Sequence, residues 1–308
     1  MNGPTEVTAE YLTAETPLPV PSEDADKEVR GRVIVVGGSV DVPGAVRLAG
    51  EAALRAGAGK LQLAVPEAIT TGLGMIVPEA RVFSLPARNG EIAPHGAETI
   101  EEFVSKSDAV LIGPGMIDKE QAAGLTGRLL SAVKGPGFVI DAAAMIQLGK
   151  DPDLVSGHDG RVVLTPHAGE MAALTGNGKH EVTADPLPLA REVAERLNAV
   201  VALKGKDTFV VSPDGRAWVY RGEAVGLATS GSGDVLAGIM AGLLARCASP
   251  EQAAIWAVYL HGQAGVRLSE RVGPLGFLAR ELSGEVPALL AELTPRPGAT
   301  GSSAGSPR

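Results

Sequence analysis

Between about residues 30 and 290, short apolar runs rich in valine, leucine and isoleucine alternate with alanine- and leucine-rich stretches of helical period. Strands buried on both faces read as near-continuous apolar runs, so this alternation predicts an α/β fold with a mostly parallel central sheet and helices on both faces. The run 32–36 leads into Gly37-Gly38-Ser39 and a helix from about Ala45 to Ala56. The run 61–65 stops at Pro66, 109–112 at Gly113-Pro114-Gly115, and 138–140 at Asp141. The runs 162–164 and 200–203 stop at Thr165-Pro166-His167 and Lys204-Gly205, and 208–211 with 217–220 predicts a hairpin about Ser212-Pro213-Asp214-Gly215. In an open α/β sheet, ligands bind beyond the carboxyl ends of the strands. Ser39, Gly115, Asp141, His167 and Lys204 are therefore expected to converge on one cleft.

A length prior suggests two domains for 308 residues, but no internal break is visible, so a single domain over 30–293 is expected. Residues 1–29 are acidic and proline-containing and read as a flexible arm; 294–308 have the composition of a disordered tail. Apolar residues make up 45% of the chain and aromatics only 3%, so the core must be aliphatic. The net charge of −9 argues against a nucleic-acid partner, whose phosphates demand a basic surface. It leaves small phosphorylated ligands open, since these need only a few local donors. Cys247 is the one cysteine, which excludes an internal disulfide or a cysteine-based zinc cluster. The acidic start lacks a signal-peptide pattern, and the longest apolar helix candidate, 235–245, is far short of the roughly 20 residues that span a bilayer. No membrane partner and a cytoplasmic location are expected. Gly238 and Gly242 in that helix imply close helix packing in a core.

The stretch Gly231-Ser232-Gly233-Asp234, followed by an apolar helix, carries the most chemistry. A helix start offers unpaired N–H groups and partial positive charge, and glycine lets a phosphate approach the backbone. A carboxylate at such a place suits general-base removal of a proton from a hydroxyl that attacks the phosphoryl group. It equally suits an ordinary first-turn acid, and the local sequence leaves both open. No Walker A motif exists, because Asp207 stands where Ser or Thr would follow Gly205-Lys206. No G-x-G-x-x-G follows the first strand, and Gly57-Ala58-Gly59 reads as a helix C-cap. Hydride transfer on a Rossmann fold is thus not indicated.

A glycine turn, an acid and a helix near the carboxyl end, with Lys204-Gly205 about 30 residues upstream, resemble the ribokinase-like superfamily. The resemblance sharpens through Gly37-Gly38-Ser39 with Gly44-Ala45, residues 55–59, Gly113-Pro114-Gly115, residues 164–167, Gly169-Glu170-Met171, Lys204-Gly205 with Thr208, and residues 230–238. In this order they are similar to the ADP/ATP-dependent NAD(P)H-hydrate dehydratases, over roughly residues 30–290. No epimerase domain is recognisable within these residues, so a stand-alone dehydratase is expected. The resemblance implies repair of hydrated NADH and NADPH (NADHX and NADPHX): ADP, or ATP, phosphorylates the ring hydroxyl, and phosphate then leaves more readily than hydroxide. It implies Mg2+, a homotetramer, and an NAD(P)HX epimerase as a pathway partner.

Carried over residue by residue, Asp234 is the catalytic base, and Ala45, Gly115, His167 and Asp234 line the site for the hydrated dinucleotide. Lys204, Gly205, Lys206, Asp207 and Thr208 match the nucleotide-binding segment, and Gly231, Ser232 and Gly233 supply backbone donors to the transferred group. His167 and Glu170 stand in the spacing of an Asn-x-x-Glu magnesium motif of related kinases, which implies that Glu170 acts on Mg2+ through water. Taken alone, Lys204 also fits a solvated lysine, Glu170 a first-turn helix acid, and His261 a packed helix histidine. The chain departs from the family where Asp-Ala-Asp-Ala-Leu becomes Asp141-Ala142-Ala143-Ala144-Met145, with an acid lost at Ala143. Ala168 replaces a proline, Ser230 and Ser232 replace the commoner Gly and Thr, and Ile117 replaces a glycine. Two rival readings remain: a ribokinase-like kinase of a thiazole or hydroxymethylpyrimidine alcohol, and a nucleotide-binding protein without turnover.

Overall fold

The computed structural model describes residues 3–19 and 30–294. Its strands are β1 (Thr5–Glu6), β2 (Arg32–Val36), β3 (Lys60–Pro66), β4 (Ala80–Leu85), β5 (Ala87–Arg88), β6 (Glu91–Ile92), β7 (Ala109–Ile112), β8 (Gly137–Ile140), β9 (Val162–Leu164), β10 (Val200–Leu203), β11 (Asp207–Val211) and β12 (Ala217–Arg221). The helices are α1 (Ala9–Glu15), α2 (Gly44–Arg55), α3 (Thr70–Ile76), α4 (Gly96–Ser105), α5 (Lys119–Ala132), α6 (Asp153–Ser156), α7 (Ala168–Thr175), α8 (Lys179–Ala184), α9 (Pro186–Leu197), α10 (Ser232–Ala245), α11 (Pro250–Arg271) and α12 (Ala279–Leu293). Ten strands form one sheet in the order β1-β12-β11-β10-β9-β8-β7-β2-β3-β4. From β10 to β4 every neighbouring pair is parallel; β11 is antiparallel to both of its neighbours.

Alternate residues of β2 feed two cores. Val33 and Val35 pack with α2, α10, α11 and α12, whereas Ile34 and Val36 pack with α4, α5 and α9 on the other face. This two-sided burial explains why strand and polar positions do not alternate in the sequence. The strand order reverses between β2 and β7, and this switch point opens a crevice at the carboxyl ends of the strands. The sequence pattern did not reveal β4 or the β5–β6 hairpin. β4 is an edge strand with only Leu85 buried, so its polar residues mask the apolar run.

The expected loose arm needs correction where it is described. β1 pairs with β12, the Trp218 indole N–H donates to the Tyr11 hydroxyl at 2.6 Å, and that of Trp256 donates to the Thr16 carbonyl at 2.7 Å. Leu12 is fully buried. Two main-chain or phenolic acceptors for indole donors, plus an added edge strand, outweigh an acidic composition. Residues 1–2 and 20–29 of the arm, and the tail from 295, lie outside the described residues.

α2 and α10 pack along a seam of small residues. A Cβ on Gly238 would sit 2.2 Å from the Ala49 carbonyl oxygen, and one on Gly242 would sit 2.4 Å from that of Ala53. The close packing expected from these glycines is therefore present, and it involves backbone against backbone. Gly→Ala in a free helix stabilises by about 1 kcal/mol; Gly238→Ala is expected to reverse that sign here and destabilise by about 1–3 kcal/mol. Urea unfolding checks this, and a stabilised variant would contradict the seam.

Candidate active site

Five neighbouring parallel strands deliver the site. β2, β7, β8, β9 and β10 end side by side, at Gly37, Gly113, Asp141, Thr165 and Lys204. At the switch point the Gly38 N–H donates to the Pro114 carbonyl at 2.7 Å, which ties the two loops together. Gly115 has φ +72°, and a Cβ there would lie 2.6 Å from the Val42 carbonyl oxygen and 3.0 Å from Ala45 Cβ. Ala45, at the start of α2, is buried. The two small residues expected to admit a dinucleotide are thus direct neighbours.

The loop that carries Gly115 is held by a residue the sequence reading missed. The buried Glu91 carboxylate accepts from the Ile117 N–H at 3.1 Å and the Asp118 N–H at 2.7 Å. Its partners lie 26 and 27 residues away, so no local pattern marks it.

Further along the strand ends, charges gather around one ammonium. Lys204 Nζ stands 2.9 Å from Asp141 Oδ1 and 3.8 Å from Glu170 Oε2. Asp141 is almost fully buried and also accepts from the Thr165 hydroxyl at 2.6 Å. Burial pushes Lys204 down, yet Asp141, Glu170 and Asp234 outweigh it and hold the ammonium above its ordinary value. Asp234, in the first turn of α10, is driven up to about 7, first by burial and then by the Asp141 charge, against the pull of Lys204. A carboxylate poised near neutrality is suited to take a proton at physiological pH.

Gly231 caps α10 from just outside its first residue, and its φ of +87° is a left-handed conformation that glycine adopts without strain. The first helical bond runs from Val235 N–H to Gly231 O at 3.2 Å. Among the described residues, the N–H groups of Gly233 and Asp234 have no protein acceptor and are free for an anion. The expected backbone donor Ser232 needs correction, because its N–H already donates to the Thr229 carbonyl at 3.2 Å. A Cβ on Gly233 would lie 3.5 Å from Lys204 Nζ, so the helix start and the lysine face the same space.

His167 and Glu170 form a capping box at the start of α7. His167 Nδ1 accepts from the Gly169 and Glu170 N–H groups at 2.9 and 3.1 Å, and Glu170 Oε2 accepts from the His167 N–H at 2.8 Å. An accepting Nδ1 places the ring proton on Nε2, which is the donor an exposed His167 presents to a ligand. Glu170 keeps Oε1, 3.5 Å from His167 Nε2, for other partners.

Gly205 and Lys206 are exposed, and Thr208 lies at the start of β11 with its hydroxyl 3.5 Å from the Gly205 carbonyl. Asp207 turns to Arg221 at 3.1 Å, so its charge is already paired. Ala143 sits buried on the 3-10 turn Ala142–Met145, within the apolar cluster. A separate groove of about 600 Å³ between α4 and α5 holds none of these groups.

The arrangement has the parts that phosphoryl transfer needs: free N–H groups at a helix start, a lysine beside them and a carboxylate raised toward neutrality. A family model described as NAD(P)H-hydrate dehydratase matches residues 33–288, and the chain belongs to that family. It is 48% identical over 288 residues to the ADP-dependent (S)-NAD(P)H-hydrate dehydratase of Xanthomonas campestris, covering 93% of this chain and 96% of that one. A Bacillus subtilis ADP/ATP-dependent NAD(P)H-hydrate dehydratase co-crystallised with ATP/Mg2+ superposes with a TM-score of 0.75 at 29% identity, covering 95% and 99% of the two chains. A ribokinase-like superfamily protein from Enterococcus faecalis superposes with a TM-score of 0.81 at 25% identity, covering 96% and 98%.

His167→Asn keeps a capping oxygen and loses the Nε2 donor, whereas His167→Ala loses both. Thermal unfolding is expected to separate them by about 1 kcal/mol in favour of Asn, while both lose affinity for the dinucleotide. Equal stabilities would contradict the capping role. For Asp141→Asn, the sign follows from charge: removal of one negative neighbour lowers the Asp234 pKa. The acid limb of kcat/KM, expected near pH 7 in the unaltered protein, should move to lower pH. An unmoved limb would show that Asp234 does not titrate there.

Proposed function

We propose that this protein dehydrates (S)-NADHX and (S)-NADPHX to NADH and NADPH, coupled to conversion of ADP to AMP and phosphate. The observation that carries the reading is Asp234, raised to about 7 at the glycine turn that opens α10, with Lys204 facing the same turn. Asp234 takes the proton of the ring hydroxyl as its oxygen attacks the terminal phosphorus of ADP, and the bond to the AMP oxygen breaks. The N–H groups of Gly233 and Asp234 face the charge that gathers on the phosphoryl oxygens. Phosphate then leaves with its bonding electrons as the ring nitrogen pushes electrons in, and a neighbouring ring carbon gives up a proton. Atoms balance: hydrated dinucleotide plus ADP gives the reduced dinucleotide, AMP and phosphate.

Lys204 and Thr208 bind the nucleotide phosphates, with the exposed Gly205 and Lys206 beside them. Ala45, Gly115 and the His167 Nε2 donor seat the dinucleotide. The donor set fits a divalent ion held mainly by phosphates: among the described residues no cluster of three or more His, Cys, Asp or Glu side chains forms a cage, and Glu170 keeps one oxygen for a metal-bound water. Bound there, Mg2+ supplies positive charge to the phosphate oxygens. The working unit is the domain 30–293, and it acts as a cytoplasmic homotetramer. Among the described residues no helix is long and apolar enough to cross a membrane. The Xanthomonas relative is named for the (S) form, which supports a separate epimerase that supplies that form.

ADP is favoured over ATP by the same relative's name. Family membership disfavours a kinase that releases a stable phosphorylated alcohol, and the poised Asp234 disfavours a silent binder. The test is the growth of reduced-nicotinamide absorbance from prepared NADHX or NADPHX with Mg2+ and either nucleotide. Asp234→Asn is expected to lower the rate by about 10²–10⁴-fold. It should also raise thermal stability above neutral pH: a carboxylate whose folded pKa exceeds its unfolded value disfavours the folded state once pH passes that range. A phosphorylated dinucleotide that accumulates without elimination would point to a kinase, and turnover unchanged in the variant would remove Asp234 as the base.

A further inference from the structure

Ser232 and His261 form a pair to which the reaction above assigns no joint task. Ser232 opens α10 between Gly231 and Gly233 and is 4% exposed. His261, from the middle of α11, brings Nε2 to 2.9 Å from Ser232 Oγ and 3.1 Å from the Ser232 carbonyl oxygen. A carbonyl oxygen only accepts, so Nε2 carries the ring proton. A protonated ring nitrogen has no lone pair in the plane with which to accept, so Ser232 Oγ must also be an acceptor toward His261. The hydroxyl proton is thereby left over. Among the described residues Ser232 Oγ makes no hydrogen bond besides that with His261, and the Ser232 N–H is already bound to Thr229 O. What Ser232 has left to offer is one O–H, beside the free N–H groups of Gly233 and Asp234.

We propose that His261 is a positioning residue: its Nε2–H, shared between the two Ser232 oxygens, holds Ser232 Oγ–H as a third donor to the transferred phosphoryl group. The proposal rests on the reading of the Gly231–Asp234 turn as the anion seat. The histidine is itself held in place. A Cβ on Gly262 would lie 2.2 Å from the Tyr220 ring and one on Gly265 would lie 2.6 Å from Leu227, so α11 packs with no slack against β12 and the turn that follows it. Burial first, with the Lys204 charge as a smaller contribution, lowers His261 to about 4 against the Ser232 hydrogen bond, so the imidazole is neutral in use. A donor fixed before the reaction costs no reorganisation when charge develops.

The test compares Ser232→Ala, His261→Leu, His261→Gln and the Ser232→Ala/His261→Leu double variant, with 15N NMR of the imidazole in the unaltered protein. Ser232→Ala and His261→Leu are each expected to lower kcat by about 10²-fold, with KM for ADP and calorimetric ADP binding near those of the unaltered protein. The double variant should be no slower than Ser232→Ala alone, and His261→Gln, which supplies an amide N–H at similar reach, should recover most of what Leu loses. The spectrum should show Nε2 protonated between about pH 5 and 8. An unprotonated Nε2, or losses that multiply in the double variant, would overturn the proposal. If His261→Leu fails to fold, His261→Gln and the spectrum decide. Ser232→Ala at full rate alongside an inactive Asp234→Asn would sink only this proposal; no turnover of hydrated dinucleotide by the unaltered protein would sink the function it rests on.

Discussion

One ammonium, that of Lys204, balances three carboxylates in a half-closed space, and the balance falls short. Asp141 takes the strongest share, at 2.9 Å and nearly out of water, with the Thr165 hydroxyl on the same oxygen. Burial first, and then the Asp141 charge that Lys204 does not fully offset, disfavours the charged form of Asp234 and raises it to about 7. The reactivity assigned to Asp234 is therefore a property of its neighbours. Lys204 is fixed at the end of a strand, Asp141 at the end of another, and Glu170 in the first turn of a short helix. None of these positions can drift far without breaking a strand pairing or a cap.

The imbalance needs a scaffold that brings α10 to the strand ends, and the small-residue seam provides it. Ala49 and Ala53 of α2 lie against Gly238 and Gly242 of α10, closer than any side chain on the glycines would allow. Parallel packing at that distance puts the starts of both helices at the same edge of the sheet. The Gly231 turn then lies against Leu48 of α2, one turn beyond Ala45, where a Cβ on Gly231 would sit 2.5 Å from the Leu48 side chain. An aliphatic, aromatic-poor composition is what such a seam requires, since rings between the helices would hold them apart.

Much of this was legible in the chain because it depends on residue types that declare themselves. Strand ends marked by Ser39, Gly115, Asp141, His167 and Lys204 predicted the crevice, and Gly231-Ser232-Gly233-Asp234 predicted the helix start. Asp141 was visible as a strand end, but its grip on Lys204 spans 63 residues and leaves no local trace. Glu91 was missed for the same reason. Residues 3–19 of the expected arm were misjudged because their hold on the domain comes from Trp218 and Trp256, far down the chain, which no reading of their own acidic composition could reveal. The backbone donor expected of Ser232 failed on a single turn, closed by the Thr229 carbonyl.

The lost acid at Ala143 takes on a different meaning in this light. A second carboxylate two residues beyond Asp141 would stand at a buried position, where desolvation disfavours its charge. Ala143 instead faces the apolar cluster with Ala144 and Met145, on a turn bent by Ala142 at φ +52°. Its replacement removes none of the four charged groups that define the site, Asp141, Glu170, Lys204 and Asp234. The chain without that acid keeps Asp234 at about 7, where both of its protonation states are accessible.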